Sequence, residues 1–278
     1  MQMQNRGLAM RCFKNSREIQ HISLFDRAFH YGDGCFTTAR LVQGQIELKA
    51  LHWQRLKNCM EKLGLNADLS LIEQTLQLLN QTELAQGTIK IILSRGEGQR
   101  GYRLPETSAD VWLYFYPQIL PKVQYDFVEV DVLQQKMGLS MPNLVGLKTL
   151  NRLEQVLFKK EADEKQYAEA LVTDLRDNVI EGVSSNCFFQ INNLWITPDL
   201  GYNGIHGVMR SYILQTMQQK QIACVQRDVK IEEIAQIQSL FFCNALHPMQ
   251  IATSLQQRDL DVQPCIELFN QLQFIRMN

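Results

Sequence analysis

One stretch of the sequence decides how the rest is interpreted, Gly146-Leu147-Lys148-Thr149-Leu150-Asn151-Arg152-Leu153-Glu154-Gln155-Val156-Leu157. From Leu150 to Leu157 its apolar side chains recur at helical spacing, which predicts a helix that begins just after Lys148 and runs to about Glu164. A lysine at the start of a helix opposes the helix dipole, whose positive end lies there. Lys148 is therefore either a solvated surface charge or an amine with a chemical task.

The composition limits the classes of protein to which the chain can belong. It has 278 residues, a length typical of about two domains, with 45% apolar and 21% charged residues. The net charge is −1 and no basic cluster is present, which disfavours a nucleic acid or an anionic membrane as partner. The seven cysteines include no CxxC pair, the five histidines lack ligand spacing, and no signal-like or membrane-spanning run occurs. We expect a cytoplasmic protein with no metal, no nucleic-acid partner and no membrane partner.

The order of strand and helix patterns predicts an α+β or mixed α/β protein of two domains. A smaller N-terminal α+β domain is expected at residues 1–117, a linker at 118–124, and a larger C-terminal domain that carries Lys148 at 125–278. Strands are expected at 35–42, 88–94, 110–116, 128–133, 168–173, 187–191, 194–197 and 239–243. Helical spacing occurs at 53–63 and 69–79, after Gly207, and near Leu268 and Leu272.

Three further blocks contain residues that an ordinary fold does not require. They are His30-Tyr31-Gly32-Asp33-Gly34-Cys35-Phe36-Thr37-Thr38-Ala39-Arg40, Ser94-Arg95-Gly96-Glu97-Gly98-Gln99-Arg100-Gly101-Tyr102 and Glu181-Gly182-Val183-Ser184-Ser185-Asn186. The second block lies between two predicted strands and does not match a nucleotide-binding loop, because no GxGxxG or GKT leads from a strand into a helix. A loop that binds an anionic substrate and a mobile surface loop explain it equally well.

Together with the Lys148 stretch, these blocks resemble the aminodeoxychorismate lyases, in the same order and over nearly the whole chain. Those lyases belong to the fold-type IV pyridoxal-phosphate enzymes, with the branched-chain and D-amino-acid aminotransferases. The resemblance implies the two-domain fold of that family (aminotransferase class IV-like), pyridoxal 5′-phosphate as cofactor, and a homodimer. It implies that Lys148 carries the cofactor on its ε-amine and that Glu181 pairs with the ring nitrogen. Arg55, which follows His52 in a His-x-x-Arg spacing, matches the phosphate-binding arginine.

The resemblance also implies how the cofactor phosphate is held in the second half of the chain. The helix expected after Gly207 would present the backbone amides of Val208 and Met209, because the N-terminus of a helix attracts anions. Asn244 and Ala245, at the end of a predicted strand, would form the remaining turn on the phosphate side.

The implied reaction converts 4-amino-4-deoxychorismate to 4-aminobenzoate and pyruvate, a step of folate biosynthesis. Lys148 would remove a ring proton, and Thr38 would donate a proton to the departing enolpyruvate. Arg100 and Tyr102 match the position where relatives bind a substrate carboxylate, and Arg95 is a second candidate.

Two other functions remain open. A D-amino-acid or branched-chain aminotransferase would use the same fold and cofactor, and product analysis separates it from a lyase. A cofactor-carrying or interaction protein would show a visible absorption band without turnover. The Thr37-Thr38-Ala39-Arg40 run and the Arg100-Gly101-Tyr102 loop favour the lyase. No GxSxG element supports a hydrolase.

Overall fold

The structure, a computed structural model, describes residues 10–81 and 83–274 and divides into two compact units. The first unit contains residues 10–122 and Lys148–Asn151, and the second contains Val123–Leu147 and residues 152–274. The division after Lys122 falls inside the expected linker, while the outer ends of the expected domains, 1–9 and 275–278, lie outside the described residues. The placement of Lys148 differs from the expectation, because this residue belongs to the first unit and not to the larger second one.

The described residues of the first unit form a six-stranded sheet with helices packed on it. Its elements are β1 (Arg11–Lys14), β2 (Arg17–Glu18), α1 (Arg27–Tyr31), β3 (Gly34–Val42), β4 (Gln45–Ile46), α2 (Lys49–Leu63), α3 (Ser70–Leu79), β5 (Gly87–Ser94) and β6 (Asp110–Pro117). The strand order is β2-β1-β6-β5-β3-β4, with every neighbouring pair antiparallel. Along β3, Cys35, Thr37 and Ala39 are buried, whereas Phe36 and Thr38 are half-buried, so alternate side chains lie on opposite faces.

The described residues of the second unit form a three-stranded and a seven-stranded sheet. Its elements are β7 (Tyr125–Val130), β8 (Val132–Met137), a 3₁₀ turn (Pro142–Leu144), α4 (Leu153–Glu164), β9 (Leu171–Asp174), β10 (Val179–Gly182), β11 (Asn186–Ile191), β12 (Leu194–Pro198), α5 (Val208–Gln219), β13 (Cys224–Arg227), a 3₁₀ turn (Ile231–Gln236), β14 (Ser239–Cys243), β15 (Met249–Leu255), β16 (Arg258–Asp259) and α6 (Gln263–Leu272). The smaller sheet has the order β10-β9-β8; the larger has β13-β12-β11-β14-β15-β16, with β7 beside β15. No helix within the described ranges is both long and apolar enough to cross a membrane.

The single strand expected at residues 128–133 is wrong, because the chain changes sheets at Asp131. β7 ends at Val130 and runs parallel to β15, whereas β8 begins at Val132 and pairs with β9. The Asp131 carboxylate accepts a hydrogen bond from the Val132 amide at 2.7 Å, which satisfies the backbone where the ladder is interrupted. A hydrophobicity pattern cannot detect this change, since apolar side chains flank it on both sides.

Candidate active site

Lys148 lies on an extended segment beside β3 and not at the start of a helix. The amide of Phe36 donates to the Lys148 carbonyl at 2.9 Å, and the amide of Leu150 donates to the Gly34 carbonyl at 3.0 Å. Between them, Thr149 forms an antiparallel bridge with Cys35. The expectation of a helix just after Lys148 is therefore wrong: α4 begins at Leu153, because this backbone pairing uses the preceding residues. The helix dipole that was expected to act on the lysine is not part of its environment.

The Lys148 side chain lies over one face of β3. Its Nζ is 4.8 Å from the centre of the Phe36 ring, and the Nζ of Lys90, on β5, is 4.6 Å from the same centre. Thr38 is on this face by strand alternation and lies opposite Lys90 in the register of β3 and β5. Two amines and one hydroxyl thus share the surface around one aromatic ring.

The sequence pattern did not single out Lys90. The residue lies in an otherwise apolar strand, where a single lysine is usually interpreted as a solvated charge. Half-burial lowers its pKa, because desolvation disfavours the charged ammonium. Lys90 is recognised only from its position opposite Thr38 in the pairing of β3 with β5. That pairing is known only once the fold is known.

Arg55 is held from the opposite face of β3. Its Nη1 donates to Thr37 Oγ1 at 3.3 Å, and that oxygen lies 2.6 Å from Nδ1 of His52. Burial, and then the charge of Arg55, lowers the pKa of His52 to about 3, so the imidazole is neutral at pH 7 and its Nδ1 shares a hydrogen bond with the Thr37 hydroxyl. Burial also lowers the pKa of Arg55 to about 10, which leaves the guanidinium charged at neutral pH. Thr37 therefore positions Arg55, a role that the sequence did not suggest.

A pair of buried thiols supports the backbone at the lysine. The Cys35 thiol, on β3, donates to Cys59, on α2, and this hydrogen bond lowers the pKa of Cys59. The backbone amide of Lys148 donates to Cys59 as well. The segment that carries the lysine is thus attached to both β3 and α2.

The loop at residues 95–102 contains one buried and one exposed arginine. Arg95 donates from Nε to Asp33 at 2.9 Å and from its two terminal nitrogens to the carbonyls of Leu63 and Gly64. These donors link the loop to Asp33 and to the C-terminal end of α2, while the role of Arg95 as the second candidate for binding a substrate carboxylate stays a prediction. Arg100 is exposed and lines an open cleft of about 1040 Å³.

Tyr102 is 85% exposed, and its ring lies 5.5 Å from that of Tyr31. The loop is attached to α1 by the Tyr31 hydroxyl, which accepts from the Gly101 amide at 3.0 Å, and by Arg27, which donates to the Gly101 carbonyl at 2.9 Å. Arg100 and Tyr102 are thus presented to solvent on an anchored loop.

Glu181 lies in the second unit, in β10, and only 4% of its surface is exposed. Its Oε2 accepts from the Ile205 amide at 2.9 Å. A positive φ of 76° at Gly204 turns the chain so that this amide meets the carboxylate. The carboxylate is therefore fixed by the backbone of the segment that leads into α5.

Two turns in the second unit carry the other predicted cofactor contacts. As expected, a helix starts after Gly207: α5 begins at Val208, and both Val208 and Met209 are buried. A side chain on Gly207 would collide with Asn186 Oδ1, so this helix start requires glycine. Asn244 follows β14, and its Oδ1 caps the next turn by accepting from the amides of Leu246 and His247, each at 2.9 Å. Ala245 lies within that turn.

Comparisons with known proteins identify the family. A family model described as amino-transferase class IV matches residues 34–255. The aminodeoxychorismate lyase of Vibrio harveyi is 31% identical over 231 residues, which is 81% of this chain and 84% of that protein. The crystal structure of 4-amino-4-deoxychorismate lyase from Pseudomonas aeruginosa superposes with a TM-score of 0.84 at 31% identity, covering 94% of this chain and 97% of that one. A hypothetical aminotransferase from Mycobacterium tuberculosis, in its PLP-bound form, shares the fold, with a TM-score of 0.78 at 19% identity over 94% and 96% of the two chains.

The chain therefore belongs to the class IV aminotransferase family, and the resemblance seen in its sequence is confirmed. It is an enzyme with the mixed α/β fold-type IV architecture, and its cofactor is pyridoxal phosphate.

The donor groups present suit that cofactor. In the first unit, the Lys148 amine is of the kind that binds an aldehyde carbon and the buried Arg55 guanidinium of the kind that binds a phosphate. In the second unit, the buried Glu181 carboxylate is of the kind that pairs with a protonated ring nitrogen, and the amides at the start of α5 are of the kind that bind a phosphate. Within the described ranges, no three His, Cys, Asp or Glu side chains are grouped so that they could hold a metal ion.

Proposed function

We propose that this enzyme cleaves 4-amino-4-deoxychorismate to 4-aminobenzoate and pyruvate, a step of folate biosynthesis. The observation that carries the proposal is the shared face of β3, where the Lys148 amine lies over Phe36 and the Thr38 hydroxyl is two residues further on. An aminotransferase moves a proton from the α-carbon of its substrate to the carbon of the cofactor that came from the aldehyde, and one amine suffices for that. Breaking the carbon–oxygen bond to enolpyruvate benefits from a second group that donates a proton to the leaving oxygen.

Each group in this arrangement has a separate task. Pyridoxal phosphate, when bound, supplies a sink for the electron pair left by a broken substrate C–H bond. The Lys148 amine would hold the cofactor at rest and would take the proton from the ring carbon of the substrate during the reaction. The Thr38 hydroxyl would donate its proton to the enolpyruvyl oxygen as the C–O bond breaks and the ring becomes aromatic. Enolpyruvate would then tautomerise to pyruvate, and the proton taken up by Lys148 would replace the one that Thr38 gave up. Glu181, oriented by the Ile205 amide, keeps the pyridine nitrogen protonated.

We assign the cofactor phosphate to one arginine and two backbone turns. Arg55, oriented by Thr37, supplies a charged donor, and the start of α5 supplies the backbone amides of Val208 and Met209. The turn of Asn244 and Ala245 completes the set.

We assign the two carboxylates of the substrate to separate cations. Lys90 lies beside Phe36 on the face that carries Thr38, and Arg100 with Tyr102 lies on the exposed loop. A dianionic substrate with an apolar ring matches two cations and an aromatic side chain better than a branched-chain amino acid does.

The alternative is a D-amino-acid or branched-chain aminotransferase, which the family match itself supports. Purified protein loaded with cofactor should be given 4-amino-4-deoxychorismate in one reaction, and D-alanine or leucine with 2-oxoglutarate in others. The lyase releases 4-aminobenzoate without an added amino acceptor. If glutamate forms in the other reactions and no 4-aminobenzoate is released, the alternative replaces the proposal.

We further propose that the enzyme is a cytoplasmic homodimer. All seven cysteines are free thiols, which persist in a reducing compartment. The dimer is what the resemblance to fold-type IV enzymes implies.

A further inference from the structure

A buried carboxylate in the second unit has no part in the roles above. Glu169, just before β9, is 1% exposed, and burial raises its pKa. Four donors surround it: the Ala170 amide at 3.3 Å, the Ser184 amide at 3.3 Å, the Ser184 hydroxyl at 2.9 Å, and the Ser185 hydroxyl. Burying a carboxylate is costly unless its acceptor sites are filled, and these donors fill them.

Ser185 links this carboxylate to Asn244. Because the Ser185 hydroxyl proton points to Glu169, its oxygen remains an acceptor, and Asn244 Nδ2 donates to it at 3.0 Å. The Asn244 Oδ1 accepts from the Leu246 and His247 amides, which determines that the NH₂ end of the amide faces Ser185. All donors in the series therefore point the same way, from amide to hydroxyl to carboxylate, and such a series strengthens its members.

The same carboxylate also limits the backbone beside Glu181. A Cβ added to Gly182 would lie 2.7 Å from Glu169 Oε1 and 2.7 Å from the Phe242 ring. Glu169 therefore packs directly against the residue that follows the proposed ring-nitrogen partner. One buried side chain contacts the backbone on the ring side and, through Ser185, the turn on the phosphate side.

We infer that Glu169 is a positioning residue for the cofactor, acting through Ser185 to fix the Asn244 side chain and thereby the Asn244–Ala245 turn that binds the phosphate. The inference rests on the phosphate-side role proposed above for that turn. It does not depend on which reaction the enzyme catalyses.

A double-mutant cycle on cofactor affinity tests the inference. Glu169→Gln keeps the volume but places an NH₂ group among donors, and Asn244→Ala removes the far end of the series. Pyridoxal phosphate is titrated into each apoprotein by absorbance, and thermal melting of the apoproteins reports on folding. We expect each single change to raise the Kd roughly tenfold or more, the cost of a hydrogen bond to a charged group. In the Asn244→Ala background, Glu169→Gln should change the Kd less than about twofold, because the two residues act as one unit.

Glu161→Gln is the matched control. Glu161 is also a buried glutamate of the second unit, but it accepts hydrogen bonds from the amides of Gln134 and Gln135, in β8, and from the Lys165 ammonium. The Kd of the Glu161→Gln variant for the cofactor should match that of the wild type. Should Glu169→Gln fail to fold, Ser185→Ala takes its place in the cycle, and its effect should also disappear in the Asn244→Ala background.

Additive effects in the cycle would overturn the inference, since a general loss of packing acts independently of Asn244. An unchanged Kd in Asn244→Ala would overturn it as well, because the turn would then not serve the phosphate. Release of 4-aminobenzoate is measured separately. A coupled cycle in a protein that releases none supports the positioning role and rejects the lyase.

Discussion

At the scale of single residues, β3 offers a matched pair of adjacent threonines on opposite faces. Thr38→Val removes the proposed proton donor with little change of shape, so release of 4-aminobenzoate should fall by about 10²- to 10⁴-fold while cofactor affinity is unchanged. Thr37→Val removes one hydrogen-bond acceptor of Arg55 and should weaken cofactor binding, while the rate at saturating cofactor is largely kept. Steady-state rates of 4-aminobenzoate release, measured with both variants fully loaded with cofactor, show which face of β3 takes part in the reaction. A wild-type rate in Thr38→Val would remove this residue from the mechanism.

Arg55 gives a second prediction at this scale. Arg55→Ala should raise the Kd for pyridoxal phosphate by roughly 10- to 150-fold, since a hydrogen bond to a charged group is worth about 1.5–3 kcal/mol. Titration of the apoprotein measures this, with Arg100→Ala as control because Arg100 is assigned to the substrate. If both variants bind the cofactor as tightly as the wild type, Arg55 is not a phosphate ligand.

At the scale of elements, the contact of β3 with α2 should make stability depend on pH. Folding depresses the pKa of His52 to about 3 from its ordinary 6.5, so below pH 6.5 the unfolded chain binds a proton that the folded protein does not. The contribution is complete above pH 6.5 and is lost as the pH falls from about 6.5 toward 3. From pH 7.5 to pH 5.5 the free energy of unfolding should fall by about 1.4 kcal/mol from this group.

Urea unfolding at both pH values measures this loss. His52→Gln should lose less stability than the wild type over the same interval, whereas His21→Gln, at an exposed position, should behave as the wild type does. Equal losses in the wild type and His52→Gln would show that His52 is accessible to protons in the folded protein.

The elements also show what a sequence can predict. Periodicity found β3, β5, β6 and the start of α5, because each combines an unbroken apolar pattern with a glycine or a turn at its end. It misplaced the start of α4, since Leu150 fits a helical pattern but pairs with the backbone of Gly34. Lys90, His52 and Thr37 were not recognised because their partners lie on other strands or helices. Contacts of this kind depend on register and packing, which no local pattern contains.

At the scale of the whole molecule, we expect two chains to associate. The first unit exposes Leu24, Phe25 and Phe29 around α1, and the exposed fractions of the two phenylalanines are 68% and 64%. An apolar patch of this kind is typical of a binding surface. Light scattering should give twice the 32.2 kDa mass of the chain.

Phe25→Glu combined with Phe29→Glu should shift the protein toward the monomer. Ile119→Glu, a change at an apolar residue that is 94% exposed and distant in sequence from α1, should not. A monomeric wild type at micromolar concentration would contradict the expected assembly.

The most direct test of the central claim, that this chain is a lyase whose amine is Lys148, is a time course of both products from 4-amino-4-deoxychorismate. Holoenzyme should release 4-aminobenzoate and pyruvate in a 1:1 ratio without any added amino acceptor, while Lys148→Ala, loaded with cofactor, should release neither above the uncatalysed rate. Loaded wild-type enzyme that forms no 4-aminobenzoate, or a Lys148→Ala variant that forms it at the wild-type rate, would contradict the account.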